Sequence, residues 1–299
     1  MLSLNPRSLI PDPALNYRHA FHAGNHADVL KHVVLLALCD ALTAKPTPLF
    51  ALDTHAGRGL YALRGTAARR TGEAEGGVAK LDADARRVPA IARYLDTVAA
   101  CRAAHGGDAY PGSPWLLAHV LRAQDRIACC ETQPEEVAAL RRHLGADARV
   151  EIRAGDGYAA MKALLPPKSG STRFARGLVL IDPPYESQLE EFDAALAALR
   201  DARQRWPQGV YALWYPIKLR RSLQPFYRRA ATLPAKSVLR IELLVRRDDS
   251  PLRMNGSGLL LLDAPWKLDE TIKPALEALR RALGEDGASS RIDWLRPPA

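Results

Sequence analysis

The sequence predicts an α/β chain with a Rossmann-like, doubly wound fold: a seven-stranded, mostly parallel sheet and an inserted small helical subdomain. Three observations predict it. Short apolar runs rich in Val, Ile and Leu alternate with amphipathic stretches, as expected of strands buried on both faces by crossover helices. Acidic residues close several of these runs, at the strand ends where open α/β sheets bind ligands. One interval between consecutive strands is too long for a crossover helix alone.

The strands are expected at residues 48–53, 126–131, 149–153, 177–182, 210–215, 237–246 and 258–263. Helices at 27–42, 134–144, 188–206 and 267–283 each carry apolar residues at helical spacing. Asp53 ends the first strand, and the acid ending the next, Glu131, lies far beyond the ~20 residues of a minimal βαβ unit. Residues 64–111 are therefore expected as the inserted helical subdomain, with helical spacing around 90–104 and turn residues Gly72, Gly76 and Gly77. Residues 1–16 form an N-terminal extension, and 17–63 with 112–299 form the Rossmann-like domain.

Composition narrows the class. With 25% charged and 47% hydrophobic residues, the 299-residue chain is ordinary globular material and can bury a sizeable core. Cys39, Cys101, Cys129 and Cys130 form no C-x-x-C pair and no zinc set, which points to a reducing compartment. Residues 1–16 lack the apolar core of a signal peptide, and no run reaches the ~20 apolar residues of a membrane span. A cytoplasmic protein is expected, without a membrane partner and as a monomer. Lys and Arg number 42 against 33 Asp and Glu, a net charge of +9 that favours a polyanionic partner. Residues 203–253 hold twelve of the basic residues against three acids, interleaved with Tyr211, Trp214, Tyr215, Phe226 and Tyr227. That mixture suits a surface gripping phosphates and stacking bases, or equally a solvated basic helix with core aromatics.

The most specific motif is Ile181-Asp182-Pro183-Pro184-Tyr185, directly after an apolar strand. An exocyclic amine on a nucleobase or amide is a poor nucleophile because its lone pair is delocalised. It must be oriented and its hydrogens accepted as a methyl group arrives. The Asp182 carboxylate and the Pro183 carbonyl can each take one N–H, two prolines fix that carbonyl, and Tyr185 can stack on the ring. The plain alternative is a rigid Pro-Pro turn.

A second motif, Leu52-Asp53-Thr54-His55-Ala56-Gly57-Arg58-Gly59, runs an acidic strand end into a glycine loop. A lone G-x-G is weak evidence. Here two further acidic strand ends follow, Glu131 and Asp156-Gly157. S-adenosylmethionine calls for such a set: one acid near the sulfonium end, one on the ribose hydroxyls and one beside the adenine amine. The histidine-rich stretch from Tyr17 to His32 contains His22 and His26 at i, i+4. Gly24-Asn25 between them favours a loop, and no acid or cysteine completes a ligand set, so no metal is expected.

These strings together are specific. YRHAFHAGNHADVLKH from Tyr17, LDTHAGRGLY, YPGSP at Tyr110 to Pro114, CCETQP, the Asp156-Gly157-Tyr158 turn, IDPPYE and YALWYP at Tyr211 to Pro216 closely resemble the RlmJ family of bacterial 23S ribosomal RNA adenine-N6 methyltransferases, in order and spacing. The resemblance runs from Tyr17 to the C-terminus. It implies a Rossmann-like S-adenosylmethionine-dependent methyltransferase with S-adenosyl-L-methionine as cofactor and 23S rRNA, protein-free or incompletely assembled, as partner. It places Lys31 or His32, His55, Ser113, Glu131, Asp156, Gly157 and Asp182 around the cofactor. Asp182, Pro183 and Tyr185 would hold the target adenine, and Tyr17 would close over the active site. Two departures stand out. Residues 4–16 precede a motif that in the family starts near the initiator methionine, and Asp263-Ala264-Pro265-Trp266 stands where relatives carry Asn-Pro-Pro-Trp. The rival readings are methylation of DNA adenine or of a protein amide, and an RNA-binding assembly factor without catalysis.

Overall fold

The computed structural model describes residues 23–63, 73–170, 172–185, 188–251 and 254–298. The central strands are β1 (Phe50–Asp53), β4 (Arg126–Glu131), β5 (Val150–Ala154), β8 (Gly177–Ile181), β9 (Gly209–Ile217), β10 (Val238–Leu244), β11 (Gly256–Leu262) and β12 (Ser289–Arg296). Two small hairpins join β2 (Leu60–Ala62) to β3 (Ala109–Pro111) and β6 (Lys168–Ser169) to β7 (Thr172–Arg173). The helices are α1 (His26–Thr43), α2 (Pro89–His105), α3 (Ser113–Val120), α4 (Pro134–Leu144), α5 (Gly157–Leu164), α6 (Gln188–Arg205), α7 (Gln224–Ala230) and α8 (Leu268–Leu283).

The sheet order is β12-β10-β11-β9-β8-β1-β4-β5. Pairing is parallel from β5 to β9 and antiparallel from β9 through β11 and β10 to β12. The first strand sits in the middle, so chain order reverses there, and the crevice outside the strand ends at such a switch point is where ligands bind. All seven predicted strands are present. The sheet has an eighth, β12, that the sequence reading lacks. Its apolar content is thin because it is an edge strand, half-buried throughout and hydrogen-bonded on one side only, with Arg291 and Asp293 alternating with Ile292 and Trp294.

Each face of the sheet carries its own core. On one, Val33, Val34, Leu36 and Leu38 of α1 pack with Leu116 of α3, Leu140 of α4 and Ile272, Leu276 and Leu279 of α8. On the other, Met161 of α5, Leu196 and Leu199 of α6 and Phe226 of α7 cover Leu52, Val179, Ile181 and Leu213. Helix α1 is apolar nearly all round because α2, α3, α8 and β11 surround it. Asn25 starts it, its side chain accepting from Ala27 N at 2.9 Å and Asp28 N at 3.0 Å.

The described part of residues 64–111 contains α2 and three short 3₁₀ turns. Ile91, Tyr94, Val98 and Cys101 of α2 belong to the same core as α1. Gly77 lets this segment dock, since a Cβ there would stand 2.0 Å from the Gly24 carbonyl, and Val78 N donates to that same oxygen at 2.8 Å.

The basic run at 203–253 is distributed differently from an open cationic face. Arg203 pairs with Asp263, Arg205 with Asp201, Arg229 with Asp193, Arg240 with Asp293 and Arg246 with Glu285. All five acids lie outside the run, so counting charge along the chain overstated what this surface offers. Lys218, Arg221, Arg228 and Lys236 remain exposed and without an ion pair among the described residues.

Candidate active site

Because β1, β4, β5 and β8 run parallel, the residues that follow them gather along one edge. Asp53 closes β1 and Glu131 closes β4, while Asp182 follows β8 and Asp156 precedes α5. The register sets Asp53 beside Leu180 and Cys129, which puts the glycine loop and the Asp-Pro-Pro-Tyr turn next to each other.

Lys31 and Asp182 form the centre. The Lys31 ammonium stands 2.6 Å from Asp182 Oδ2 and 2.9 Å from Asp28 Oδ1, with the lysine side chain 5% exposed. Burial alone would lower its pKa, but Asp182 and Asp28 hold the ammonium well above its ordinary value. Asp28 Oδ2 also accepts the Gly24 N–H at 3.0 Å. Asp182 Oδ1 has no protein donor among the described residues. The resemblance put Lys31 near the cofactor; the structure puts it on the carboxylate of the Asp-Pro-Pro-Tyr turn, with Trp214 beneath its ammonium, 6.0 Å from the ring centroid.

Tyr185 is buried and takes a left-handed φ of 50°. Its hydroxyl donates to Trp214 O at 2.8 Å, and its ring packs on Phe192 and edge-on to Trp214. The hydroxyl is thus committed to the scaffold, and the partly exposed Trp214 shares the aromatic wall.

Around the neighbouring strand ends, Asp53 is fully buried, which raises its carboxyl to about 6 against the opposing pull of Ser113. Its Oδ2 makes no hydrogen bond. His55 is neutral, burial lowering its pKa to about 4. Glu131 accepts Gly57 N and Gln133 N, both at 2.8 Å, which fixes the glycine loop against the end of β4. Arg58 locks that loop to α4 through two bonds to Glu136, at 2.8 and 2.6 Å. Asp156 caps α5, accepting Ala159 N at 2.6 Å. Next to it Gly157 is required, because a Cβ there would stand 2.1 Å from Thr54 O. His32 shares its Nδ1 with the Tyr110 hydroxyl at 3.1 Å, and Tyr110 meets Tyr94 of α2 at 3.0 Å.

Lys31, His55, Asp156, Gly157 and Asp182 thus meet at one edge beside Asp53, and Ser113, Glu131 and His32 flank it. Tyr17 lies outside the described residues. The sequence reading missed Asp28, Thr54 and the role of Trp214. Only Asp28 left a usable signal, its i, i+3 spacing to Lys31 on a helix. Among the described residues no group of three or more His, Cys, Asp or Glu is placed to hold a metal, and no helix is long and apolar enough to cross a membrane.

S-adenosylmethionine fits this edge on one observation: the Asp53 oxygen that makes no hydrogen bond is a buried anion suited to a cationic ligand. A doubly wound sheet with acids at successive strand ends, a glycine loop and an Asp-Pro-Pro-Tyr turn at one edge defines an S-adenosylmethionine-dependent methyltransferase of Rossmann-like fold. Comparison with known proteins narrows this. The family model described as "Ribosomal RNA large subunit methyltransferase D, RlmJ" matches residues 46–296, and the chain belongs to that family. "Ribosomal RNA large subunit methyltransferase J" of Haemophilus influenzae is 37% identical over 95% of this chain and 99% of its own length. The Escherichia coli protein of the same name is 36% identical over 95% and 99%. A Legionella pneumophila protein of solved crystal structure superposes with a TM-score of 0.80 at 33% identity, covering 91% of this chain and 98% of that one.

Proposed function

We propose that the protein transfers the methyl group of S-adenosylmethionine to the N6 amine of an adenine in 23S rRNA. The observation that carries this reading is the Lys31–Asp182 pair at the head of the Asp-Pro-Pro-Tyr turn. The ammonium occupies Oδ2, so Oδ1 is left to accept one amine hydrogen while the Pro183 carbonyl accepts the other. Holding both hydrogens in the plane of the turn directs the nitrogen lone pair toward the cofactor pocket. When bound, the cofactor supplies a methyl on a sulfonium, a leaving group that needs no metal. Asp53, His55, Ser113, Glu131, Asp156 and Gly157, with His32, line the pocket that holds it. Tyr185 and Trp214 form the aromatic wall against the base.

The adenine must leave its stack to reach Asp182, so an unpaired or loosely folded element of protein-free rRNA is the easier substrate. Lys218 and Arg221, exposed on the turn after β9 and without an ion pair among the described residues, lie close in the chain to Trp214 and would hold RNA phosphates there. Residues 64–111 are read as the insertion and 1–16 as an extension, in a protein acting as a cytoplasmic monomer.

The test is transfer of labelled methyl from S-adenosylmethionine to protein-free 23S rRNA, followed by nucleoside digestion. N6-methyladenosine is expected with the wild type and none with Asp182→Ala. Label appearing only in DNA or protein, or undiminished turnover by the variant, would overturn the reading.

A further inference from the structure

The Thr54 hydroxyl makes two contacts whose proton bookkeeping has one consistent solution. Oγ1 lies 3.0 Å from Leu180 O and 2.8 Å from His55 Nδ1. A carbonyl oxygen can only accept, so the single hydroxyl hydrogen points at Leu180. Both contacts are hydrogen bonds only when Oγ1 faces His55 with a lone pair and Nδ1 carries the hydrogen. The imidazole is neutral, with burial holding its pKa near 4, so it has only one N–H to place. That leaves Nε2 as a bare acceptor, and it makes no hydrogen bond among the described residues.

The surroundings say what such an acceptor is for. The charges of Asp182 and Asp156 both act on the His55 ring, its backbone N–H reaches Asp53 Oδ1 at 3.3 Å, and the Tyr158 ring lies edge-on with centroids 5.4 Å apart. Two carboxylates whose charges act on the ring, a third on its backbone N–H and a lone pair without a protein donor favour a ligand rich in positive charge and N–H donors.

We infer that Thr54 is a positioning residue that locks His55 in the Nδ1–H tautomer, so that Nε2 accepts from the α-ammonium of the bound cofactor. The inference rests on the methyltransferase reading above for the identity of the ligand. The opposite tautomer would aim an N–H at an ammonium and repel it. Valine is the isosteric probe, since Leu180 O keeps a second donor, the Thr54 N–H at 3.0 Å, when the hydroxyl is removed.

The test reads His55 directly. In ¹H–¹⁵N spectra of the ring nitrogens, assigned by comparison with His55→Gln, the ligand-free wild type should show Nδ1 protonated and Nε2 not. Thr54→Ser should match it. Thr54→Val should lose the Nδ1 preference and bind S-adenosylmethionine about tenfold more weakly, the worth of one charge-assisted hydrogen bond, with 23S rRNA affinity unchanged. An Nε2–H tautomer in the wild type, or unaltered cofactor affinity in Thr54→Val, would overturn the inference. The tautomer is read without RNA or turnover, so a failure of the methyl-transfer reading would show separately, as absent product.

Discussion

Replacing Lys31 with methionine separates what the buried ammonium contributes to folding from what it contributes to the site. The side chain is 5% exposed and lies 2.6 and 2.9 Å from two carboxylates of which Asp28 is 2% exposed and Asp182 13%. Methionine fills a similar volume, so packing is nearly conserved, but two carboxylates are left in a poorly hydrated pocket without a counterion. Breaking a buried pair by deleting one partner costs about 3–5 kcal/mol. The pH dependence has a definite sign. The ammonium of Lys31 is held above its unfolded value, so its contribution is fully present through neutral and acidic pH and fades only as pH rises through that raised value. The wild-type pair therefore adds no slope of its own near neutrality. In the variant, the uncompensated carboxylates relieve their mutual repulsion by taking up protons, so its deficit should shrink on acidification. Urea denaturation at pH 7.5 and 5.5 measures both effects. A loss of about 3–5 kcal/mol at pH 7.5 that is clearly smaller at pH 5.5 is expected, with methyl transfer abolished at both. A variant within 1 kcal/mol of wild type at pH 7.5, or a deficit that grows on acidification, would refute the reasoning.

Asp53 makes a contribution of the same sign, lost in a lower pH range. Its carboxyl rises from 3.8 to about 6 on folding, so its stabilising share is complete below pH 4 and is lost as pH climbs through 6, about 3 kcal/mol in all. Thermal denaturation of Asp53→Asn across that range should show a flatter profile than wild type; parallel profiles would mean that the carboxyl titrates normally. Cofactor affinity of the wild type, followed by calorimetry, should weaken below pH 6 as the buried Asp53 carboxylate is protonated. Far from the site, Asp263→Asn leaves Arg203, 6% exposed, without its charge partner at 2.6 Å. A loss of about 3 kcal/mol in chemical denaturation with cofactor binding intact is the expected outcome, and a coupled loss of binding would show that the two ends of the sheet communicate.

The parallel strands were legible because burial on both faces leaves an unmistakable apolar run, as in Ile127 to Cys130 and Leu178 to Ile181. The acids that end them were legible because a charged residue closing such a run has little other reason to be there. What stayed hidden depends on groups distant in the chain. Of the five acids that pair with the 203–253 run, Asp201 is an i, i+4 neighbour of Arg205, but Asp193, Asp263, Glu285 and Asp293 are brought to it by tertiary structure, and no count along the run finds them. β12 carries too few apolar residues to announce itself. The Lys31–Asp182 contact spans 151 positions, beyond the reach of any local pattern, and Thr54 reads as a loop threonine until Leu180 O and His55 are seen on either side of it.

That same span has a consequence for how activity is acquired during synthesis. The lysine is made before its partner, which follows only after β1, β4, β5 and β8, and β9, which seats β8 from the other side and carries Trp214, comes later still. Until then the ammonium has no Asp182 to meet and the turn has no wall to lean on. A chain interrupted anywhere before β9 is complete therefore lacks both the strand that seats β8 and Trp214.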